Sequence, residues 1–228
     1  MSIGPARQPD RLARELVNEA APDPVLADLR FRGLIGAEAW SVLPAAVRSR
    51  FGKRLAGGNA AIYVGTIVEC RMTRFGRLLA EAARLIGAPL PLHRDIGVPA
   101  VVTVTEDAVG GGQFWTRMYG RRRGFPQVIH SSKRFAGPTG LEEYLGGGFG
   151  IALIASADET AIHFRSDHYF LAIGVIRLRL PRWLAPGALT ISHIDRSDGS
   201  FAFVLSLRHP LLGEIIRQAG LFRDQAAI

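Results

Sequence analysis

Cysteine is nearly absent from this 228-residue chain, where Cys70 stands alone. A single thiol excludes an internal disulfide and a cysteine-rich zinc site, and leaves core packing as its expected role. Lysine is almost as scarce. Of 28 basic residues only Lys53 and Lys133 are lysines, so the formal charge of +8 rests on arginines spread along the whole length. Nucleic-acid recognition needs clustered charge, and only Arg121 to Arg123 form a run, so no nucleic-acid partner is expected. Long apolar runs are missing too. No segment approaches the roughly 20 residues of a membrane helix, and the opening Met-Ser-Ile-Gly-Pro-Ala-Arg-Gln-Pro lacks the apolar core of a signal peptide; a cytoplasmic location is expected. A G-x-G-x-x-G turn after a strand, a phosphate-binding loop, a nucleophile elbow and a paired metal-ligand motif are all absent, so neither cofactor nor metal is expected.

With 48% hydrophobic and 21% charged residues the chain has the balance of a folded protein. Residues 1–22 read as an N-terminal arm whose segment Asp10 to Ala21 has only a thin apolar stripe, Leu12, Leu16 and Val17. Residues 23–228 then read as a single domain. Apolar residues at helical spacing from Val25 to Phe51, interrupted by Gly33, Gly36 and Pro44, predict two or three short helices with Leu34, Ile35, Trp40, Leu43 and Val47 inward. Ala60 to Thr73 is the first strand, with Ile62, Val64, Thr66 and Val68 on one face. Phe75 to Ile86 has the three-and-four spacing of an amphipathic helix, stopped by Gly87.

From Val98 onward the period changes to two. Strands are predicted at Val98 to Glu106, Gln113 to Tyr119, Gln127 to Lys133, Phe149 to Ala157, Thr160 to Leu178, Ala188 to Asp195 and Phe201 to Arg208, with short helices at Leu141 to Leu145 and His209 to Leu221. The fold class is therefore α+β: a strongly curved antiparallel sheet or lipocalin-like β-barrel of about eight strands with N-terminal helices, because a long flat sheet would leave exposed edges. The order strand, helix, meander, terminal helix also fits a helix-grip fold, kept as the alternative.

Several side chains are candidates for chemistry. Trp115, Arg117 and Tyr119 share one face of a strand whose other face carries Phe114, Thr116 and Met118, so both faces are expected to be covered. A guanidinium among rings needs a carboxylate; Glu106, Glu69 and Glu142 are the candidates. Such an arginine either fixes strand register or anchors a ligand carboxylate or phosphate. In Thr160 to Leu178 the even positions, including Phe164, His168 and Phe170, form an apolar face. His168 is a rim histidine or a general base, with Glu106 the second tentative catalytic group. His193 and Asp195, two apart, would bind metal only with a third ligand such as His130 or His163. Leu180 to Pro186, with Trp183 and Leu184, and the tail with Leu211, Leu212, Ile215, Ile216, Leu221 and Phe222, form either a lid or a peripheral membrane contact with basic flanks.

Leu34-Ile35-Gly36 with Trp40 and Leu43-Pro44, Trp115-Thr116-Arg117 with Tyr119-Gly120, Gly140-Leu141-Glu142 with Gly146, Leu180 to Pro186, and His209-Pro210-Leu211-Leu212-Gly213 with Gly220 occur in an order that resembles the bacterial domain-of-unknown-function family 4166. The resemblance runs from about Phe31 to Phe222 and departs from the usual pattern between Arg121 and Phe135. It implies no particular activity. Similar domains often follow saccharopine-dehydrogenase-like Rossmann domains, which implies a possible Rossmann-domain partner. From the residues themselves the leading expectation is a barrel that binds or handles a hydrophobic small molecule (lipid, isoprenoid or polyketide-like), with Trp115, Arg117, Tyr119, Phe164 and Phe170 as ligand-binding residues. An isomerase or cyclase acting on an apolar metabolite through His168 and Glu106, and an accessory domain for a Rossmann-type oxidoreductase, are the alternatives. Whether the chain is an enzyme is left open.

Overall fold

The period-two alternation is realised as eleven antiparallel strands in a computed structural model that describes residues 27–225 apart from residue 175. The arm 1–22 and its expected helix lie outside the described residues. The strands are β1 (Ala61–Met72), β2 (Val98–Asp107), β3 (Gly112–Tyr119), β4 (Gln127–Arg134), β5 (Glu142–Gly146), β6 (Phe149–Ala157), β7 (Ala161–Ile173), β8 (Ile176–Arg179), β9 (Ala188–Asp195), β10 (Ser200–His209) and β11 (Gly213–Asp224). Each pairs with its neighbour from β1 to β7; β7 then pairs with β9, and β9, β10 and β11 lead back to β1. Ten strands thus close a barrel and leave no continuous free edge, which removes the hazard of an open sheet. The eleventh, β8, folds back on the end of β7 alone, opposite Phe170 to Ile173.

Because β9 pairs only with the first part of β7, Ala161 to Arg165, and β8 takes over from Phe170, the wall parts between them. The chain crosses this gap through residues 180–187. Leu180 N–H donates to the Tyr169 carbonyl at 2.8 Å, and the Tyr169 hydroxyl donates to the Gly187 carbonyl at 2.9 Å, so the crossing is tied down at both ends.

One end of the barrel is plugged by α1 (Arg30–Ile35), α2 (Ala37–Val42) and α3 (Ala45–Phe51). Phe31 and Val47 are fully buried, and Phe31 and Phe51 meet Phe164 ring to ring at 5.9 and 5.7 Å. Asp28 accepts from the Arg30 backbone and pairs with its guanidinium, which also lies 4.0 Å over the Phe135 ring; this pins the start of α1 to the barrel rim. The opposite end carries α4 (Arg74–Ala82) and a following 3-10 turn (Ala83–Ile86). Thr73 Oγ1 accepts from Gly76 N–H as the N-cap, and Gly87 ends the turn with φ of 96°, a left-handed conformation that favours glycine. Gly76 itself is needed for close approach, since a Cβ there would collide with the Ile215 carbonyl oxygen.

Two expected helices are strands. Leu141 to Leu145 is too short a run to stabilise a helix by itself, and as β5 its backbone pairs with β4 and β6. His209 to Leu221 is a hairpin turn followed by β11, whose backbone bonds to β1 on one side and β10 on the other. These two strands account for the rise from about eight to ten in the barrel, and the helix-grip alternative loses the terminal helix that defines it. The outer face of β3 is also open. Val64, Val101, Met118 and Val128 form one cross-strand row, with Met118 41% exposed, so Gln113 to Tyr119 is covered on one side only.

Candidate functional site

A cavity of about 410 Å³ lies inside the barrel at the α4 end. Leu79, Ala82 and Ile86 roof it, Leu145, Ile151, Leu189, Ile191, Leu205 and Leu207 line its wall, and Leu180, Leu184 and Pro186 bound it at the parted strands. This accounts for the amphipathic helix Phe75 to Ile86: the face with Leu79, Ala82 and Ile86 lies over a cavity rather than a filled core, while Leu78, 67% exposed, is outside the cavity lining. Leu180, Leu184 and Pro186, from the segment read as either a lid or a membrane contact, lie at this mouth.

Among the described residues, the charged side chains that reach this lining are Arg117 and Glu143. Arg117 projects inward from β3; Ser131 and Lys133 follow on β4, and Glu143 stands opposite Lys133 on β5. Arg117 Nη2 donates to Ser131 Oγ and lies 3.3 Å from Glu143 Oε1, while Lys133 Nζ lies 3.0 Å from Glu143 Oε2. All three charged side chains are at most 4% exposed. Lys133 also lies 4.8 Å over the Trp115 ring and 5.8 Å from that of Phe164. Burial alone would raise the Glu143 pKa, but Lys133 and Arg117 outweigh it and hold the carboxyl well below its usual range. Lys133 is lowered by burial and by Arg117, against the pull of Glu143. Two cations share one carboxylate, and Arg117 Nε is buried with no hydrogen-bond partner among the described residues.

The partner of Arg117 is therefore Glu143, not Glu106, Glu69 or Glu142. Glu106 faces Gln113 at the helix-plugged end, Glu69 binds Arg71 and Arg217, and Glu142 binds Arg177 and the Tyr144 hydroxyl. Of the expected ligand-binding residues, Arg117 lines the cavity. Trp115 and Phe164 support the charged cluster from behind, and Tyr119 is buried farther along the inner face of β3. Phe170 is displaced by a register shift: Ala152 faces His168 and Leu153 faces Ser166, leaving Asp167 as an extra residue. A one-residue bulge exchanges the faces of a strand beyond it, so Tyr169 lines the cavity while Phe170 packs on Tyr144.

His168 consequently lies in a separate groove of about 870 Å³, with Arg165, Arg179, Arg182, Arg208 and His209. Its Nδ1 is 2.6 Å from Asp167 Oδ2. His168, Arg117 and Glu106 do not meet at one cavity. His193 faces inward, stacked 4.0 Å from the Phe201 ring, whereas His130 bonds Thr116 and His163 bonds Ser192 and Asp158; no cluster of three metal-ligand residues occurs among the described residues. No helix among those residues is long and apolar enough to cross a membrane. Sequence reasoning missed Lys133, Ser131 and Glu143. The usable signal was Lys133, one of two lysines and placed within a strand, but Glu143 fell in a run read as helix, where its facing could not be assigned.

A family model described as "Domain of unknown function (DUF4166)" matches residues 43–222. No curated protein and no solved structure matches the chain. With most of its length covered, the chain belongs to the DUF4166 family.

Proposed function

We propose that this member of the DUF4166 family binds a hydrophobic small molecule, of lipid, isoprenoid or polyketide-like character, inside its barrel. The observation that supports this reading is the cavity between α4 and Leu180 to Pro186, whose size lies within the roughly 300–1,000 Å³ of small-molecule sites and whose wall is almost wholly apolar. An apolar void of this volume in a barrel otherwise filled by Phe31, Phe51, Phe164 and Trp115 forfeits packing on every side, and an apolar ligand restores it. Native mass spectrometry and solvent extraction of the purified chain, followed by titration with the apolar dye Nile red, test the reading. A released apolar molecule and saturable dye binding are expected; a chain that carries nothing and binds no dye overturns it.

A second reading concerns how the ligand enters. Leu85 at the cavity, Trp183 next to the lining residue Leu184, and Leu211 in the turn whose His209 packs on Phe75 are 90%, 81% and 87% exposed, with Arg84, Arg182 and Arg208 near them in sequence. Apolar side chains with basic neighbours suit contact with an anionic membrane surface, which would place the mouth against the source of an apolar ligand. Of the C-terminal residues expected in such a contact, Ile215, Ile216 and Phe222 are buried in the wall and Leu221 is half-buried, leaving Leu211 and Leu212 exposed.

A further inference from the structure

The charged cluster at the cavity wall is unbalanced, and its imbalance is what a ligand would meet. Lys133 is ion-paired with Glu143 at 3.0 Å and lies over Trp115, and although its Nζ makes no hydrogen bond among the described residues it does not line the cavity. Glu143 is shared between both cations. The Tyr169 hydroxyl is already donating to Gly187. That leaves Arg117. Its guanidinium has five N–H donors, yet its only hydrogen bonds among the described residues are those of Nη2 to Ser131 and Glu143, and Nε is buried without a partner. A cation that is buried, reaches an apolar cavity and is half-neutralised calls for one further negative charge. Resting on the cavity reading above, we propose that the ligand is an amphipathic acid: an apolar chain ending in one carboxylate, bound with the carboxylate inward on Arg117 and the chain running toward α4 and Leu184.

A carboxylate fits better than a phosphate monoester. The cluster offers one surplus positive charge, which a carboxylate matches, whereas a phosphate monoester brings about −1.5 to −2 and three strong acceptors into a wall where, among the described residues, Arg117 is the only cationic side chain. Planar pairing of a carboxylate with a guanidinium also uses donors that Ser131 and Glu143 leave free. The neutral analogues of such a ligand, its methyl ester and its alcohol, would fill the apolar part equally well while leaving Arg117 unanswered.

Displacement of bound Nile red by decanoic acid, methyl decanoate and 1-decanol, at pH 7.5 and fixed salt, tests the proposal on the intact chain and on Arg117→Met. A charge-assisted hydrogen bond is worth about 1.5–3 kcal/mol, so the acid is expected to bind about ten- to a hundredfold more tightly than ester and alcohol. In Arg117→Met, where Lys133 and Glu143 remain as a balanced pair, the difference between acid and ester is expected to vanish. Equal binding of acid, ester and alcohol by the natural chain overturns the acid inference and leaves the cavity reading standing; no dye binding at all overturns both. An acid preference that survives Arg117→Met would place the carboxylate on the rim arginines and also sinks the proposal. Should Arg117→Met fail to fold, Lys133→Met keeps the test: it removes the surplus charge but not the guanidinium, and the acid preference must fall.

Discussion

Lys133 and Glu143 stand directly opposite one another on neighbouring strands and meet at 3.0 Å with both side chains 2% exposed, while the second carboxylate oxygen reaches Arg117. The arrangement makes the three charges unequal in their importance to folding. Removing Glu143 leaves two buried cations facing each other; removing Lys133 leaves a matched pair. Glu143→Gln is expected to cost about 3–5 kcal/mol, and Lys133→Met less than about 1 kcal/mol. Urea unfolding of both variants checks this, and equal losses would show that the cluster is not limited by its single carboxylate.

The stability of the chain should fall as pH drops below the ordinary histidine range, through His193. This ring is stacked on Phe201, edge-on to Phe51 at 5.1 Å, and its Nε2 lies 3.5 Å from Arg50 Nη1, with Asp195 and Asp224 paired to that arginine. Burial first, and Arg50 second, lower its pKa from 6.5 to about 3. A depressed folded-state pKa means that below pH 6.5 the unfolded chain takes a proton the folded chain refuses, so stability is complete above 6.5 and declines toward 3. The slope from one such group approaches about 1.4 kcal/mol per pH unit. His193→Phe, which keeps the ring stack, is expected to remove that slope from a series of urea midpoints between pH 4.5 and 7.5. An unchanged slope would place the acid sensitivity elsewhere.

The exposed mouth makes a prediction about surfaces. If Trp183, Leu184 and Leu211 enter a bilayer interface beside Arg182 and Arg208, the chain should float with vesicles containing anionic lipid, less so with neutral ones, and should be released as salt rises. Trp183→Ser is expected to weaken flotation severalfold without changing the unfolding temperature, since a side chain 81% exposed contributes little to packing. No flotation at low salt removes the membrane reading and leaves these residues as a lid alone.

Most of the barrel was legible from alternation, and the exceptions have particular causes. β6 and β9 have the bounds that their period implies; β9 alternates, with Leu189, Ile191 and His193 buried in turn, whereas in β6 Gly150 to Leu153 are buried in succession and only the residues after them alternate. β11 did not read as a strand because Ile215 and Ile216 are adjacent and both buried, a pattern shared by helices; only pairing on both sides, with β1 and β10, decides it. The face of Phe170 was misread because the bulge at Asp167 has no marker in sequence such as glycine. Arg117 could be singled out, since an arginine between Trp115 and Tyr119 on an alternating strand must point inward. Its partner could not, because Glu143 is brought beside it by the pairing of β4 with β5, a long-range relationship that local spacing does not carry.

The cavity itself can be tested by filling it from the roof. Ala82 lies on α4, is exposed, and lines the space opposite Leu205 and Leu207 without belonging to the packed core. A large side chain placed there enters existing volume and does not displace neighbours, so the overpacking cost of about 1–3 kcal/mol that attends a filled core is not expected. Ala82→Trp should therefore abolish Nile red binding while leaving the unfolding temperature of the ligand-free chain equal or higher, because apolar surface facing the void gains contacts. In the natural chain the same void makes stability depend on ligand, with the unfolding temperature rising as ligand concentration exceeds its dissociation constant; in Ala82→Trp that dependence should disappear. Differential scanning fluorimetry with and without decanoic acid reads both effects, and a variant that still binds dye and still responds to ligand would show that binding occurs somewhere other than beneath α4.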